Sequence, residues 1–180
     1  MTRYIEISLE KRGVTCRARL LDGCAPLTCA AVWAGLPASG DVYHAKYARN
    51  EIYTFVPPMT PEALPLENPT ITPIPGDVCY FDFAANQLPA GSYGYDEDLG
   101  QGAAGRDRVV DLALFYGRNN LLLNADVGFV PATVFATVTH GLEEMAAAAN
   151  DVWRSGSVGE TLAFRQVPVP HAAGSVEQGR

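Results

Sequence analysis

Residues 5 to 20 alternate with a period of two. Ile5, Ile7 and Leu9 stand between Glu6 and Ser8, and after Glu10-Lys11-Arg12-Gly13 the apolar set Val14, Cys16, Ala18 and Leu20 stands between Thr15, Arg17 and Arg19. In an extended chain successive side chains point to opposite faces, so this spacing sorts apolar from polar residues only in a strand. Two such runs about a glycine turn predict a β-hairpin. Further strands are predicted over 42–45, 51–56, 78–83, 109–116, 134–138 and 160–166, with Pro57-Pro58 stopping the second of these because proline has no N–H to give a ladder. The 78–83 run, Val-Cys-Tyr-Phe-Asp-Phe, is apolar on both faces and is therefore expected near the middle of a sheet.

Two segments carry helical spacing. Pro26 suits the first turn of a helix with Cys29, Val32, Trp33 and Leu36 on its buried face, ended by Gly35 and Pro37. A second helix starts near His140 and is expected to bury Leu142, Met145, Ala146, Ala149, Val152 and Trp153. Glu143 and Glu144 stand in its first turn and Arg154 near its last, where the helix dipole favours each sign, and Gly156 and Gly159 close it. Many strands, two helices and no strand–helix alternation predict a mainly β barrel or an α+β domain. Prolines at 61, 65, 69, 73 and 75 forbid regular helix from 60 to 75 and predict an extended loop whose apolar residues lie on the body of the protein. Residues 84–108, rich in glycine and alanine, form a long loop of the kind that is functional or mobile. The expected organisation is one domain over 1–166 and a disordered tail over 167–180.

Composition narrows the function. The 180 residues are 48% hydrophobic and 18% charged, with 13 Lys plus Arg against 20 Asp plus Glu, a formal charge of −7. That balance supports a real core, and without a run of positive charge it argues against nucleic acid or an anionic membrane as partner. No apolar stretch reaches the ~20 residues that cross a bilayer, and Glu6 falls where a signal peptide needs an apolar run, so the expected location is the cytoplasm. Cys16, Cys24, Cys29 and Cys79 lack C-x-x-C spacing and read as reduced, mostly buried small hydrophobes.

Several motifs fail on context. Gly100-Gln101-Gly102-Ala103-Ala104-Gly105 matches G-x-G-x-x-G, but Asp96-Glu97-Asp98 precedes it and a strand follows, where a dinucleotide site needs a strand before and a helix after. The acidic trio lacks the further ligands and spacing of a calcium loop. His44, His140 and His171 are scattered, so no metal site and no cofactor is expected; His140 reads as a helix-start residue and His171 as part of the tail. There is no G-x-S-x-G elbow, and Cys79, though it could meet His44 in space, is a buried strand cysteine without an electropositive neighbour.

What remains is a set of aromatic, charged and amide residues on or beside buried strands: His44, Tyr47, Arg49, Glu51, Tyr53, Tyr80, Asp82, Tyr116, Arg118 and Asn119. Glu51 and Tyr53 share a strand face, as do Tyr80 and Asp82. Pairing Arg49 or Arg118 with Glu51 or Asp82 would satisfy charges that are rarely buried alone. The set reads either as a structural ion pair at a barrel rim or as an aromatic pocket with a few convergent polar groups.

The order of Ala25-Pro26-Leu27-Thr28, Glu51-Ile52-Tyr53, Pro75-Gly76-Asp77-Val78, Phe115-Tyr116-Gly117 and Phe135-Ala136-Thr137-Val138-x-x-Gly141-Leu142 resembles the bacterial cyclophilin-like proteins of unknown function. The resemblance implies a closed eight-stranded β-barrel with a helix capping each end. It does not imply prolyl isomerisation, because the Phe-His-Arg and Phe-x-x-Gln-Gly-Gly motifs of true cyclophilins are absent and fold does not dictate function. The leading expectation is a barrel that binds a small polar or anionic metabolite, or a short peptide. Arg49 or Arg118 would receive the negative group, with Glu51, Tyr53, Tyr80, Asp82, Tyr116 and Asn119 around it. The rivals are a prolyl isomerase or a hydrolase with Glu51 or Asp82 as general base, and a structural homo-oligomer packed through the 57–75 segment.

Overall fold

The computed structural model describes residues 2–84, 87, 108–124 and 127–168. The Gly/Ala-rich loop, its G-x-G-x-x-G and acidic trio, and nearly all of the expected tail with His171 lie outside the described residues. The predicted hairpin is β1 (Tyr4–Leu9) and β2 (Val14–Leu20), paired antiparallel with Ile7 opposite Cys16 and Ile5 opposite Ala18. Then follow α1 (Pro26–Gly35), β3 (Ala38–Asp41), β4 (Tyr43–His44), β5 (Glu51–Val56), β6 (Pro69–Thr70), β7 (Asp77–Ala84) and β8 (Arg108–Phe115). The chain continues through β9 (Leu123–Asn124), β10 (Gly128–Phe129), β11 (Ala132–His140), α2 (Leu142–Ser155) and β12 (Thr161–Gln166).

These strands form a ten-stranded antiparallel sheet in the order β3-β12-β1-β2-β11-β7-β8-β5-β4, with β6 added beside β11, while β9 and β10 make a separate two-stranded ribbon. β3 returns beside β5, so the sheet curls into a nearly closed barrel. Gly40 makes that approach possible: a Cβ there would lie 2.6 Å from Thr54 Oγ1 and 3.0 Å from the Phe55 carbonyl. The eight strands expected from the resemblance are thus replaced by a larger sheet. β4 falls within the strand expected over 42–45, while β3 and β6, four and two residues long, are too short for any alternation to announce them.

The barrel interior is filled by Ile5, Ile7, Leu9, Ile52, Leu112, Leu114, Phe135 and Phe164, and both helices feed it, through Cys29 and Val32 from α1 and Met145, Ala149 and Val152 from α2. Trp153, expected on the buried face of α2, is 62% exposed and lies over His44, with ring centroids 4.9 Å apart. Gly141, at φ +79°, forms the N-cap of α2 and packs so tightly that a Cβ would lie 2.8 Å from the Thr15 carbonyl oxygen. Of the 60–75 loop's apolar residues, Leu64 packs against the interior core while Leu66 and Ile74 are exposed.

That loop has a second task. Ala25 gives α1 no side-chain cap, and Glu67 supplies one from 39 residues beyond Thr28, accepting hydrogen bonds from the Leu27 amide (3.2 Å), the Thr28 amide (2.8 Å) and the Thr28 hydroxyl (2.9 Å). Burial alone would raise the Glu67 pKa, but these donors outweigh it and hold the carboxyl below its usual value. We expect Glu67→Ala to cost about 1–2 kcal/mol, with Glu67→Gln recovering part of it, as measured by denaturant unfolding. Equal midpoints for wild type and Glu67→Ala would contradict the capping role.

All four cysteines are free. Cys16, Cys29 and Cys79 are buried, with burial pushing the thiol pKa to about 12 for Cys16 and about 11 for Cys29, and well up for Cys79, while Cys24 is exposed. No helix among the described residues is long and apolar enough to cross a membrane.

Candidate functional site

β5, β7 and β8 are buried on both sides. Ile52, Thr54 and Val56, with Leu112 and Leu114, face the barrel interior, whereas Glu51, Tyr53 and Phe55, with Asp111, Ala113 and Phe115, face outward. On β7 the outward set is Cys79, Phe81 and Phe83. This outer face is covered by the 45–48 segment and by the β9–β10 ribbon, leaving a cleft of about 830 Å³, open solvent at its mouth included. Its walls are aromatic. Tyr43 stacks on Tyr53 at 5.5 Å, Tyr53 meets Phe55 edge-on at 5.5 Å, and Phe81 stacks on Phe83 at 5.6 Å. Leu122, Val127 and Val130 of the ribbon face them, with Asn124, Gln87 and the exposed Lys46 at the margins.

The floor carries two carboxyls, Glu51 and Asp111, which are 5% and 6% exposed. Glu51 lies opposite Phe115 and Asp111 opposite Phe55, so Tyr53 and Ala113 intervene and the two backbones are four residues apart along the strands, about 13 Å. Both side chains line the one cleft, on either side of that gap. Among the described residues neither forms an ion pair, and Asp111 Oδ1 has no hydrogen-bond partner. Burial favours their neutral forms and raises the Glu51 pKa to about 8; burial, then the nearby Glu51 charge, pushes Asp111 well above its usual range.

The covering segments are held in place by backbone geometry. The Ala45 amide donates to the Glu51 carbonyl (3.0 Å), the Asn50 amide to Asn120 Oδ1 (3.0 Å), and Asn120 Nδ2 to the Pro73 and Gly117 carbonyls (2.9 and 2.7 Å). The ribbon is tied by the Val130 amide to the Leu122 carbonyl and by the Leu122 amide to the Ile71 carbonyl. These bonds fix both walls without using the floor carboxyls.

The residues singled out in the sequence therefore separate. Glu51 and Tyr53 line the cleft with Tyr47 at its margin, but Tyr80 packs in the barrel interior, and Asp82 shares its strand face. The guanidinium that meets Asp82 is not Arg49 or Arg118 but Arg108, two residues along β8 from its partner Val110, through Nε (2.8 Å) and a second short contact; Arg108 Nη1 also donates to the Thr60 and Pro61 carbonyls. This is a rim ion pair, the structural alternative, and it stands beside a second groove lined by Leu64, Leu66 and Phe129. Burial, then the Asp82 charge, raises the Tyr80 pKa.

Arg118 and Asn119 are exposed turn residues after β8, with Asn119 at φ +63° and the Arg118 carbonyl accepting from Asn50 Nδ2 (2.7 Å). Arg49, also exposed, stands at φ +79° and does not line the cleft. Tyr116 points the other way and donates to His44 Nε2 (2.6 Å) while His44 Nδ1 donates to the Ala45 carbonyl (3.1 Å). Burial lowers the His44 pKa and favours this neutral tautomer. The imidazole is thus engaged by Tyr116 and Trp153 rather than by Cys79. His140 is the last residue of β11, its Nδ1 at 3.0 Å from Thr139 Oγ1. Among the described residues no group of three or more His, Cys, Asp or Glu is arranged to hold a metal ion.

Sequence reasoning missed Asp111, Phe55, Phe81, Phe83 and the ribbon. One signal was present: Asp111 is a lone carboxylate inside Val-Val-Asp-Leu-Ala-Leu-Phe-Tyr, where an ionised group has no place without a partner or a purpose.

The profile of a family described as "Protein of unknown function (DUF3830)" matches residues 7–164. The structure is similar to that titled "Structure of McbB in complex with tryptophan", with a TM-score of 0.56, 17% identity and coverage of 93% of this chain. The chain spans 46% of the length of McbB, and at that identity the likeness shows the fold alone. No match was found among curated proteins.

Proposed function

The chain belongs to the DUF3830 family of proteins of unknown function, and from that premise we propose that it binds a small molecule with an aromatic or apolar body and a cationic group, in the outer-face cleft of β5, β7 and β8. The observation that carries this reading is the pair of buried carboxyls, Glu51 and Asp111, at the foot of an aromatic-walled cleft, with no ion-pair partner among the described residues. Aromatic faces attract cations, and a carboxylate at their base supplies the countercharge. A concave cleft between the strands' outer face and a covering ribbon suits a small molecule rather than a folded partner. An anionic ligand held by Arg49 or Arg118 is not part of the proposal, because neither guanidinium reaches the cleft. The cyclophilin-like kinship rests on the order of the short motifs alone, and the isomerase alternative has no feature of the cleft in its favour.

Calorimetric titration with phenacyltrimethylammonium, whose charge does not depend on pH, tests the reading. Binding is expected to tighten from pH 6 to pH 9 as Glu51 ionises, and to weaken at least ~10-fold in Glu51→Gln. Arg49→Ala and Arg118→Ala are expected to leave it unchanged. Affinity that survives Glu51→Gln, or that disappears in Arg118→Ala, would sink the assigned site.

A further inference from the structure

We infer that Glu51 and Asp111 act as a general base and a general acid on a bound carbonyl compound, catalysing its keto–enol tautomerisation; the inference rests on the cleft being the binding site proposed above. Three observations carry it. First, the two carboxyls reach one cleft floor from neighbouring strands with Tyr53 and Ala113 between them, and Ala113 contributes only a methyl group, so they flank a space instead of closing on each other. Second, Asp111 Oδ1 is buried with no hydrogen-bond partner among the described residues, which costs free energy unless a ligand or a proton meets it. Third, the surrounding walls are hydrocarbon and aromatic, which strengthens interactions with charge that develops during reaction.

The two groups have different tasks because their surroundings differ. Burial raises the Glu51 pKa to about 8, and a cation bound nearby draws it back toward the ionised form, so Glu51 is the base. Asp111, raised well above its usual range by burial and then by the Glu51 charge, keeps its proton and is the acid. The other titratable groups about Glu51 are Cys79 from β7, which feels the Glu51 charge, and Tyr53 from its own strand with Lys46 and Tyr47 from the covering segment, which line the same cleft. Cys79 keeps its proton because burial raises its pKa.

The step balances without a co-reactant. The Glu51 carboxylate removes a proton from the carbon next to the carbonyl, and the C–H electron pair becomes the new C=C bond. The carbonyl π pair moves to oxygen, which takes the Asp111 proton, leaving enol, neutral Glu51 and Asp111 carboxylate. Reversal at the same carbon exchanges its hydrogen with solvent, and return at the far carbon of a conjugated system isomerises it. The substrate class is an enolisable ketone, and an aminoketone combines that carbon with the cationic group of the binding proposal.

The experiment follows loss of the α-hydrogen signal by proton NMR in deuterated buffer, with two probes: phenacyltrimethylammonium and the uncharged phenylacetone. Binding of each is measured separately by calorimetry on the full chain. The expected result is exchange of bound probe about 100-fold faster than in buffer, rising with pH through about 8, and lost in both Glu51→Gln and Asp111→Asn. Phenylacetone carries no charge and is expected to keep its affinity in the variants, so its lost exchange reports the chemistry. Arg118→Ala is expected to exchange as wild type does. A probe that binds but exchanges at the buffer rate, or whose acceleration survives both acid substitutions, overturns the catalytic inference and leaves the binding proposal standing. If neither probe binds, both are overturned.

Discussion

Glu51→Gln is expected to remove a large part, though not all, of the pH dependence of stability between about pH 5 and pH 8, the remainder belonging to Asp111. In the wild type the Glu51 carboxyl has a folded-state pKa of about 8 against an ordinary 4.5, because it is buried without an ion pair among the described residues. A folded pKa above the unfolded one means that the folded state holds the proton more tightly. The associated stability is complete below about 4.5 and is lost as pH rises through 8. Asp111 acts in the same direction from its own ordinary value of 3.8 upward. One pKa unit is worth about 1.4 kcal/mol, so ionising Glu51 costs about 4 kcal/mol over these three pH units and the Tm should fall by roughly 8–16 °C from pH 5 to pH 8. The acid side has the opposite sign: Glu67 is held low by the α1 amides and His44 is held neutral by burial, so both lose their contribution as pH falls. Stability should therefore peak in mildly acidic solution. A glutamine at 51 cannot ionise and should raise the Tm at pH 8 while leaving it nearly unchanged at pH 5. Thermal melts across that range check this, and parallel curves for the two proteins would show that Glu51 is not the group responsible.

Glu160→Ala is expected to be the most damaging substitution away from the cleft. The side chain is fully buried, and its two oxygens accept from the Lys11 amide (2.8 Å), the Thr161 amide (3.1 Å) and Arg12 Nη1 (2.9 Å). Arg12 in turn donates to Asp151 and Ser155 on α2 and to the Gly156 carbonyl. One carboxylate thus ties the β1–β2 turn to the start of β12, and through Arg12 to the C-terminus of α2. Removing it leaves two amides and a partly buried guanidinium short of an acceptor, a loss of about 3–5 kcal/mol for a buried pair. Since Arg12 keeps Asp151, the lower end is expected, near 3 kcal/mol and a Tm drop of roughly 6–12 °C. Glu160→Gln should lose less, because it keeps an acceptor for the amides. A Glu160→Ala protein that unfolds at the wild-type denaturant midpoint would refute this account of the turn.

Much of the fold was legible because it is local. The β1–β2 hairpin, α1 and α2 each announce themselves in a window of a dozen residues, by period two or period 3.6. The apolar character of both faces of β7 correctly signalled a central strand, and its cause is now visible: one face looks into the barrel and the other into the floor of the cleft. Apart from β4, the short strands were not legible. β3 exists because Gly40 and its neighbours pair with β12, more than a hundred residues away, and can approach β5.

The site was half legible. Glu51 and Tyr53 were picked out because polar and aromatic groups on a buried strand call for an explanation. The error lay in grouping them with Tyr80, Asp82, Arg118 and Asn119. Alternation says which residues of one strand share a face, but not which face of one strand adjoins which face of the next. The ladder decides that: Tyr53 pairs with Ala113 and Tyr80 with Leu112, which puts Glu51, Tyr53 and Asp111 outside the barrel and Tyr80 inside it. The same sheet brings Asp82 to Arg108 and leaves Glu51 sharing its cleft with another acid.

By itself, then, the sequence determined the strand-rich class, the hairpin that opens the chain, the two helices with their apolar faces, and the acidic balance of charge. These depend on spacing and composition, which act over a few residues or over the whole chain. Tertiary structure alone decided that two carboxyls sixty residues apart share one aromatic floor, and that the nearby arginines serve elsewhere. Only strand pairing and the direction of each sheet face bring distant side chains together, and burial at that meeting point is what shifts their protonation.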